Sequence, residues 1–390
     1  MTTIHIFDPL DLVMIVPYQL GFHPTRSLVV VGLRGKRVHV VQRGDLPPPR
    51  EDEATRATVA VVSRHTVTSG CDGAVVVVYE DRPGHGAAVA ASAAQSLTEA
   101  GLSLLGPIVV RDGRAYFSGP GDAADDGVPL PPEAQVPAIA DFVAVGRHPF
   151  ESLEDLQASL TPAQDELSGA LDAARRVAPR DHQVPDLRLA ARGWGELFDV
   201  GDARWFAPAQ PHLATLVAML TSLADLQFRD LLVAWLSPGT LTPEAFDPRL
   251  LELLEHLPPD PAGPADAPRD PAARHRRESA ARRRRRLNRT RSRPRLGWSL
   301  EGPTELERQH RLSTRLVWLA RHAPPQDRAA VSSVLAGYAW HVGDGTLARL
   351  AVEAALQADP DYRLARLLQH MVELCLRPDR VGAAGRLRAG

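Results

Sequence analysis

The chain has 390 residues, 44% of them hydrophobic, and a formal net charge of -2 at pH 7. This length predicts two or three domains, each large enough to bury a core. No apolar run approaches the ~20 residues of a membrane-spanning helix, and the N-terminus lacks the basic start of a signal peptide. Cys71 and Cys375 have no CxxC partner, which argues against a disulfide framework or a cysteine zinc site and favours a cytoplasmic protein.

The chain opens with a pattern that is typical of a short helix. Asp8 can cap its start, with Pro9 in the first helical position, where a missing N–H costs nothing. Pro17 is expected to interrupt this helix, because proline removes a helical hydrogen bond. Gly21 suits the left-handed residue that ends a helix.

The first 145 residues then alternate between strand and helix patterns. Strands are predicted at 27–33 and 74–80, hairpins at the Arg34-Gly35-Lys36 and Asp112-Gly113 turns, and helices at 51–68 and 86–100. The valines from Val75 to Val78 predict a central strand that is covered on both faces and flanked by the strand at 27–33. Residues 1–145 are therefore predicted to form an α/β domain with a mostly parallel or mixed sheet.

From about residue 134 the pattern changes to helices, so an all-α region is predicted to follow the α/β domain. We expect a helical region at 146–257 and a second one at 298–380. Between them, residues 258–297 are rich in proline and arginine, which predicts a disordered linker.

Four sequence blocks carry a family resemblance: VPYQLGFHPTRSLVVVGL at 16–33, RGDLP at 43–47, RDGRAYFS at 111–118, and AWHVGDGTLARLAVEAALQADPDYRLARLL at 339–368. In this order they resemble the actinobacterial domain-of-unknown-function family 4192. The resemblance spans nearly the whole chain. It implies no activity, because the family is uncharacterised.

Residues 329–362 also resemble one tetratricopeptide repeat. The residues that fall where this repeat has apolar, small or proline positions are Leu335, Ala336, Ala339, Ala348, Val352, Ala355 and Pro360, whereas Ser332 replaces an aromatic. No second clear copy follows, and stacking needs about three repeats. We therefore expect a repeat-like helical hairpin docked on its neighbours.

A candidate pocket is predicted where strands of the α/β domain end. Its residues are His23, Arg26, Arg43, Asp45 and Arg114. Ligands bind outside the carboxyl ends of strands in open α/β sheets, so these side chains could serve an enzyme or a small-ligand binder. The alternatives are structural: His23 caps a helix, Arg43 and Asp45 pin the strand exit, and Arg114 is a solvated hairpin charge.

Known catalytic and phosphate-binding motifs do not occur. The glycines of RPGHGAAVAAS at 82–92 join a strand to a helix, where an anion could bind, but the P-loop lysine and the third Rossmann glycine are missing. The chain has no HExxH and no GxSxG, and its 14 His residues are scattered. We expect no cofactor and no metal site.

The charge of the chain is unevenly distributed. Residues 274–295 hold 12 Arg and one Glu, a net charge of +11, while the rest of the chain carries -13. Such an arm, with Arg282, Arg283, Arg284, Arg285 and Arg286 at its centre, could contact a nucleic acid backbone weakly and without sequence preference. It could equally fold back on the acidic body or be a linker enriched in arginine by codon bias.

The sequence thus favours a non-enzymatic, cytoplasmic binding or scaffold protein whose helical C-terminal region engages another protein. One alternative is an enzyme or small-ligand binder that uses the strand ends. Another is a nucleic-acid-associated factor that uses residues 274–295. No membrane partner is expected.

Overall fold

The computed structural model describes residues 4–6, 8–48, 51–117, 126–177, 186–199, 213–237, 245–257, 298–300 and 303–374. These residues form two compact units. The first holds the described residues up to Leu156 together with those between 298 and 306, and the second holds the others. None of the helices in this described part combines the length and apolar character that crossing a membrane requires.

The first unit is an α/β domain, as predicted. Its elements are β1 (Ile4–Ile6), α1 (Pro9–Leu20), β2 (Ser27–Arg34), β3 (Arg37–Asp45), α2 (Asp52–Thr68), β4 (Gly73–Tyr79), α3 (Ala87–Glu99), β5 (Ser103–Arg111), β6 (Arg114–Phe117), β7 (Val128–Pro129), α4 (Pro137–Ala144), α5 (Leu153–Ala158), at which the unit ends, and β8 (Trp298–Leu300).

The strands form one mixed sheet in the order β1-β8-β3-β2-β4-β5-β6-β7. β4 and β5 run parallel, as do β3 and β8, and the other neighbouring strands are antiparallel. Both predicted hairpins are present, and Asp112 and Gly113 have the positive φ values, 49° and 70°, that a tight turn between antiparallel strands uses. The mixed sheet predicted from the sequence is confirmed.

β4 is the central strand predicted from its valines. It lies between β2 and β5, and Val75 to Val78 are each 0% exposed. Because side chains alternate along a strand, Val76 and Val78 pack with residues of α2 and α3, and Val75 and Val77 face the other side. α1 lies on that other side, since the Tyr79 hydroxyl donates to the Val13 carbonyl (3.3 Å). The prediction of a strand covered on both faces is confirmed.

The predicted interruption of α1 at Pro17 is wrong. The helix begins at the Asp8 cap, whose Oδ1 accepts from the Asp11 N–H (2.9 Å), continues through Pro17 and ends at Gly21. Pro17 has no N–H to donate to the carbonyl of Val13, four residues earlier. The Tyr79 hydroxyl donates to that carbonyl instead. Burial raises the pKa of Tyr79. The hydrogen bond from Tyr79 is a tertiary contact that compensates for the proline.

A second difference concerns residues 298–300, which the sequence groups with the helical region at 298–380. Trp298–Leu300 instead forms β8, which pairs antiparallel with β1 and parallel with β3. Three residues carry too little pattern to separate a strand from a helix. The sheet therefore includes a segment that is more than 150 residues away from the rest of its strands along the chain.

The second unit is helical. Its elements are α6 (Glu166–Val177), α7 (Leu187–Phe198), α8 (Leu213–Ser222), α9 (Leu226–Leu236), α10 (Pro248–Leu251), a 3-10 helix (Glu252–His256), α11 (Pro303–His322), which begins at the end of the first unit, α12 (Pro325–Val342), α13 (Gly345–Ala358) and α14 (Arg363–Glu373). The fold class predicted from the sequence, an α/β domain followed by a helical region, is confirmed.

α12 lies at the centre of the second unit. Every residue from Ala329 to Trp340 is buried, because α12 packs against α9, α13 and α14. Two arginines connect elements of this unit. Arg175 on α6 donates two hydrogen bonds, of 2.7 and 2.8 Å, to the Asp327 carboxylate on α12. The buried Arg315 on α11 donates to the carbonyls that end α7. Carbonyls at a helix end lack helical partners, so Arg315 satisfies them.

α12 and α13 form the tight helical pair that the alanine pattern predicts. Ala348 and Ala355 on α13 are fully buried, as is Ala339 on α12, and Trp340 is 4% exposed. Gly343, with φ of 89°, ends α12, and Asp344 caps α13 through the Leu347 N–H (3.0 Å). Small side chains at the contact let the two backbones approach closely. The resemblance of this pair to a tetratricopeptide repeat remains a prediction.

Candidate functional site

Three strands of the first unit, β3, β4 and β5, end at the same edge of the sheet. Ser27, the first residue of β2, pairs with both Asp45, the last of β3, and Tyr79, the last of β4. Tyr79 in turn pairs with Val110 near the end of β5. β2 is antiparallel to its neighbours, so the carboxyl ends of β3, β4 and β5 coincide. Ligands bind at such ends in open α/β sheets, which makes the side chains here the candidate site.

Arg43 is held in place on three sides at this end. Its Nε donates to the buried Ser27 hydroxyl (2.9 Å), its Nη2 lies 2.5 Å from Oδ1 of Asp45, and its guanidinium lies 5.8 Å from the Phe22 ring centroid, within reach of a cation–π contact. The Arg43 side chain is 17% exposed and that of Asp45 is 80% exposed. The arginine is therefore anchored, and the carboxylate is in solvent.

The loop between α1 and β2 brings His23 and Arg26 to the same end. The His23 N–H donates to the Phe150 carbonyl (2.9 Å), and His23 is partly buried. Arg26 is exposed and has a φ of 42°, in the left-handed region, which costs a non-glycine residue roughly 1–2 kcal/mol. Its carbonyl accepts from the Leu46 N–H (2.8 Å), which holds this backbone in place.

A second polar cluster lies on the α3 side of the sheet, and sequence reasoning missed its centre, Glu80. The Glu80 side chain is 2% exposed and lies 2.5 Å from Nη1 of Arg111. Arg111 also lies over the Tyr116 ring, 4.4 Å from its centroid. Burial lowers the pKa of Arg111, but contacts with Tyr116 and Glu80 outweigh it and raise that pKa. A carboxylate directly after an apolar strand and before a glycine loop is the signal that could have identified Glu80.

The same carboxylate occupies the N-terminus of α3. Glu80 accepts from the N–H groups of Gly84 (3.3 Å) and Gly86 (2.8 Å). A helix N-terminus favours an anion, and here the chain supplies one itself. A Cβ at Gly86 would lie 2.2 Å from Cγ1 of Val78, so this glycine lets the loop pack on β4. The glycines of 82–92 thus bind an internal carboxylate.

His85 in this loop connects two strand ends. Its Nδ1 lies 3.0 Å from Oδ1 of Asp81, and its Nε2 lies 3.1 Å from the carbonyl oxygen of Pro47, just after β3. The hydrogen bond with His85 lowers the pKa of Asp81. These contacts connect the RGDLP block to the loop after β4 and give both a structural role.

Arg114 does not join Arg43. Its guanidinium donates to the carbonyls of Asp126 and Gly127, next to its own hairpin. Arg43 contacts Phe22 on the α1 side of the sheet, whereas Arg114 pairs across the hairpin with Arg111, which lies on the α3 side. The structure brings Arg43 and Asp45 together with Arg26 nearby, and it places Arg114 on the opposite face.

The remaining predictions concern metal binding and nucleic-acid contact. Within the described ranges, no three His, Cys, Asp or Glu side chains lie close enough together to hold a metal ion. The predicted nucleic-acid contacts, Arg282 to Arg286, lie outside the described residues.

Comparison with known proteins shows the family of the chain. No curated protein and no solved structure matches it significantly. The model of a family described as a domain of unknown function, DUF4192, matches residues 9–265 and 303–379. The arginine-rich segment at 274–295 falls between these two stretches. Because the match covers most of the sequence, the chain belongs to the DUF4192 family.

Proposed function

We propose that this chain is a non-enzymatic binding protein whose helical C-terminal unit engages a protein partner. The exposed side of α14 is the observation that carries the proposal. Ala365 and Leu368 pack into the helical core, whereas Leu367 is 57% exposed and Leu374, just after the helix, is 54% exposed. Residues seven apart lie on one face of a helix, so the two leucines form one apolar stripe.

Basic side chains flank this stripe. Arg363, Arg366 and His370 are exposed. Arg363 and His370 lie one helical turn before and after Leu367, and Arg366 immediately precedes it. Arg366 pairs with Asp361 (2.6 Å), but both side chains are more than half exposed, and such pairs contribute little. The complementary partner is an amphipathic helix with an apolar stripe and acidic flanks.

The sheet end supports the non-enzymatic part of the proposal. Arg43 with Asp45, and Arg111 with Glu80, form separate pairs on opposite faces of the sheet. Acid–base catalysis needs a titratable group that reaches the substrate and a second group that orients it. Charges engaged in two separate pairs favour binding over catalysis.

Site-specific photo-crosslinking in the native host tests the proposal. A benzophenone amino acid replaces Leu367 in the full chain, and the control carries it at Arg349, an exposed position on α13. We expect a crosslink to one defined protein from position 367, its loss when Leu374→Glu is added, and no such crosslink from position 349. Crosslinks only to residues after 374, or only to a second copy of the chain, would refute a distinct partner.

A second candidate function rests on charge. Residues 274–295 carry +11 in a chain of net charge -2, and they fall outside the family match. We propose weak, sequence-independent contact with a nucleic acid backbone as a property of this chain, separate from the function that the family shares.

A further inference from the structure

The ends of β2 and β3 hold an arginine whose position is already fixed. Arg43 donates from Nε to Ser27 Oγ (2.9 Å) and lies over the Phe22 ring. Ser27 is fully buried, and its own hydroxyl donates to the Thr25 carbonyl (2.8 Å), which orients its oxygen to accept from Arg43. A guanidinium fixed at Nε presents its Nη N–H groups to an anion with little further loss of side-chain freedom.

The group that now occupies those N–H groups is replaceable. Asp45 Oδ1 lies 2.5 Å from Nη2 of Arg43, yet the Asp45 side chain is 80% exposed. Exposed ion pairs contribute little to stability, because water competes for both partners. The anchoring of Arg43 by Ser27 and Phe22 does not depend on Asp45. An external anion can therefore take the place of the Asp45 carboxylate without disturbing the arginine.

Arg26 adds a second positive charge near the carboxyl end of β3. Its carbonyl accepts from the N–H of Leu46, the residue after Asp45, so its backbone lies about one strand spacing (~5 Å) from the end of β3. Arg26 is exposed, and within the described part of the chain its guanidinium makes no hydrogen bond or ion pair. Its φ of 42° is a conformation that glycine adopts without strain. A strained arginine here is accounted for if its side chain contacts a ligand.

We propose that Arg26 and Arg43 bind an anionic group, a carboxylate or a phosphate, of a small ligand, and that Asp45 competes with this group for Arg43. Together, Arg26, Arg43 and Asp45 give this end of the sheet a net charge of +1. Planar, bidentate recognition by arginine suits both anions. This site is independent of the α14 surface, so either proposal can fail without the other.

An NMR titration of the full chain tests the site. Inorganic phosphate or acetate is added at constant ionic strength, and the Arg43 Nε–Hε signal is followed after assignment by its absence in Arg43→Lys. We expect a saturable shift in the wild type, and the dissociation constants obtained with the two probes decide between phosphate and carboxylate. Arg37→Gln, an exposed arginine at the opposite end of β3, is the matched control and should leave the curve unchanged.

Two variants make the result decisive without loosening the anchor. Asp45→Asn removes the competitor and should tighten binding by up to about fivefold, the equivalent of one exposed ion pair. Arg26→Gly should weaken binding several-fold while the melting temperature stays equal or rises, because glycine relieves the strained φ. A non-saturable shift that is the same in all variants, or unchanged affinity in Asp45→Asn, would overturn the proposal.

Discussion

The close packing around Gly195 in α7 predicts that adding a single methyl group there destabilises the fold. A Cβ at this position would lie 1.9 Å from the carbonyl oxygen of His256 and 3.0 Å from its carbonyl carbon. Both atoms belong to the backbone, so no rotamer change relieves the overlap. Leu253, Leu254 and Leu257 on the same segment are buried, and moving the segment would pull them from the core.

Gly195→Ala is therefore expected to destabilise the protein although alanine is the better helix former. Intrinsic propensity alone favours alanine over glycine by about 1 kcal/mol within a helix. Overpacking costs typically ~1–3 kcal/mol, occasionally more, and an overlap with backbone belongs at the upper end of that range. The expected net loss in the free energy of unfolding is about 2 kcal/mol.

Gly169→Ala in α6 is the matched control. It is the same substitution in a helix, at an exposed residue with no atom within 4 Å of the added Cβ, and it should stabilise by roughly 0.5–1 kcal/mol. Urea unfolding of each full-length variant, followed by tryptophan fluorescence, measures both, because Trp194 lies in the core beside Gly195. Equal stability of the two variants would refute the packing argument.

Three further predictions concern other parts of the chain. Ala348→Leu should lower the free energy of unfolding by ~1–3 kcal/mol through overpacking of α12 and α13, and a thermal melt indistinguishable from wild type would contradict that contact. Hydrogen bonds from the Ser168 N–H and then from its hydroxyl lower the pKa of Asp165 from 3.8 to about 2. Asp165 therefore stabilises the folded state above pH ~4, and this contribution is lost as the pH falls toward 2. Asp165→Asn should flatten that loss in urea titrations at several pH values, and parallel stability-against-pH profiles of the variant and the wild type would argue against it. The full-length chain should bind nucleic acid in a filter assay with a log–log salt slope of about -0.7 to -0.9 per phosphate neutralised. Deletion of residues 274–295 should abolish this binding and leave the melting temperature nearly unchanged. A large fall in melting temperature without any change in binding would contradict the proposed nucleic-acid contact.

Local sequence patterns accounted for much of the fold. Four consecutive valines from Val75 to Val78 predicted a buried central strand, because a strand with one face in water would alternate. The Asp112-Gly113 pair predicted its hairpin, because few residues tolerate two positive φ values. The alanines at 348 and 355 predicted a close helix pair. In each case the physical cause lies within a few residues along the chain.

Tertiary structure decided what depends on distant partners. Pro17 remains inside α1 because Tyr79, 62 residues later in the chain, donates to the carbonyl that the proline cannot serve. Glu80 caps α3 and holds Arg111 because the loop between β4 and α3 folds back on it.

The residues of the candidate site could be predicted from the sequence, but their grouping could not. The sequence placed Arg43, Asp45 and Arg114 near strand ends, but which face of the sheet each one occupies follows from strand order and register. A shift of one residue in register moves a side chain to the other face. Residue type is therefore local information, whereas the grouping of charges into a site is set by pairings between strands far apart in the chain.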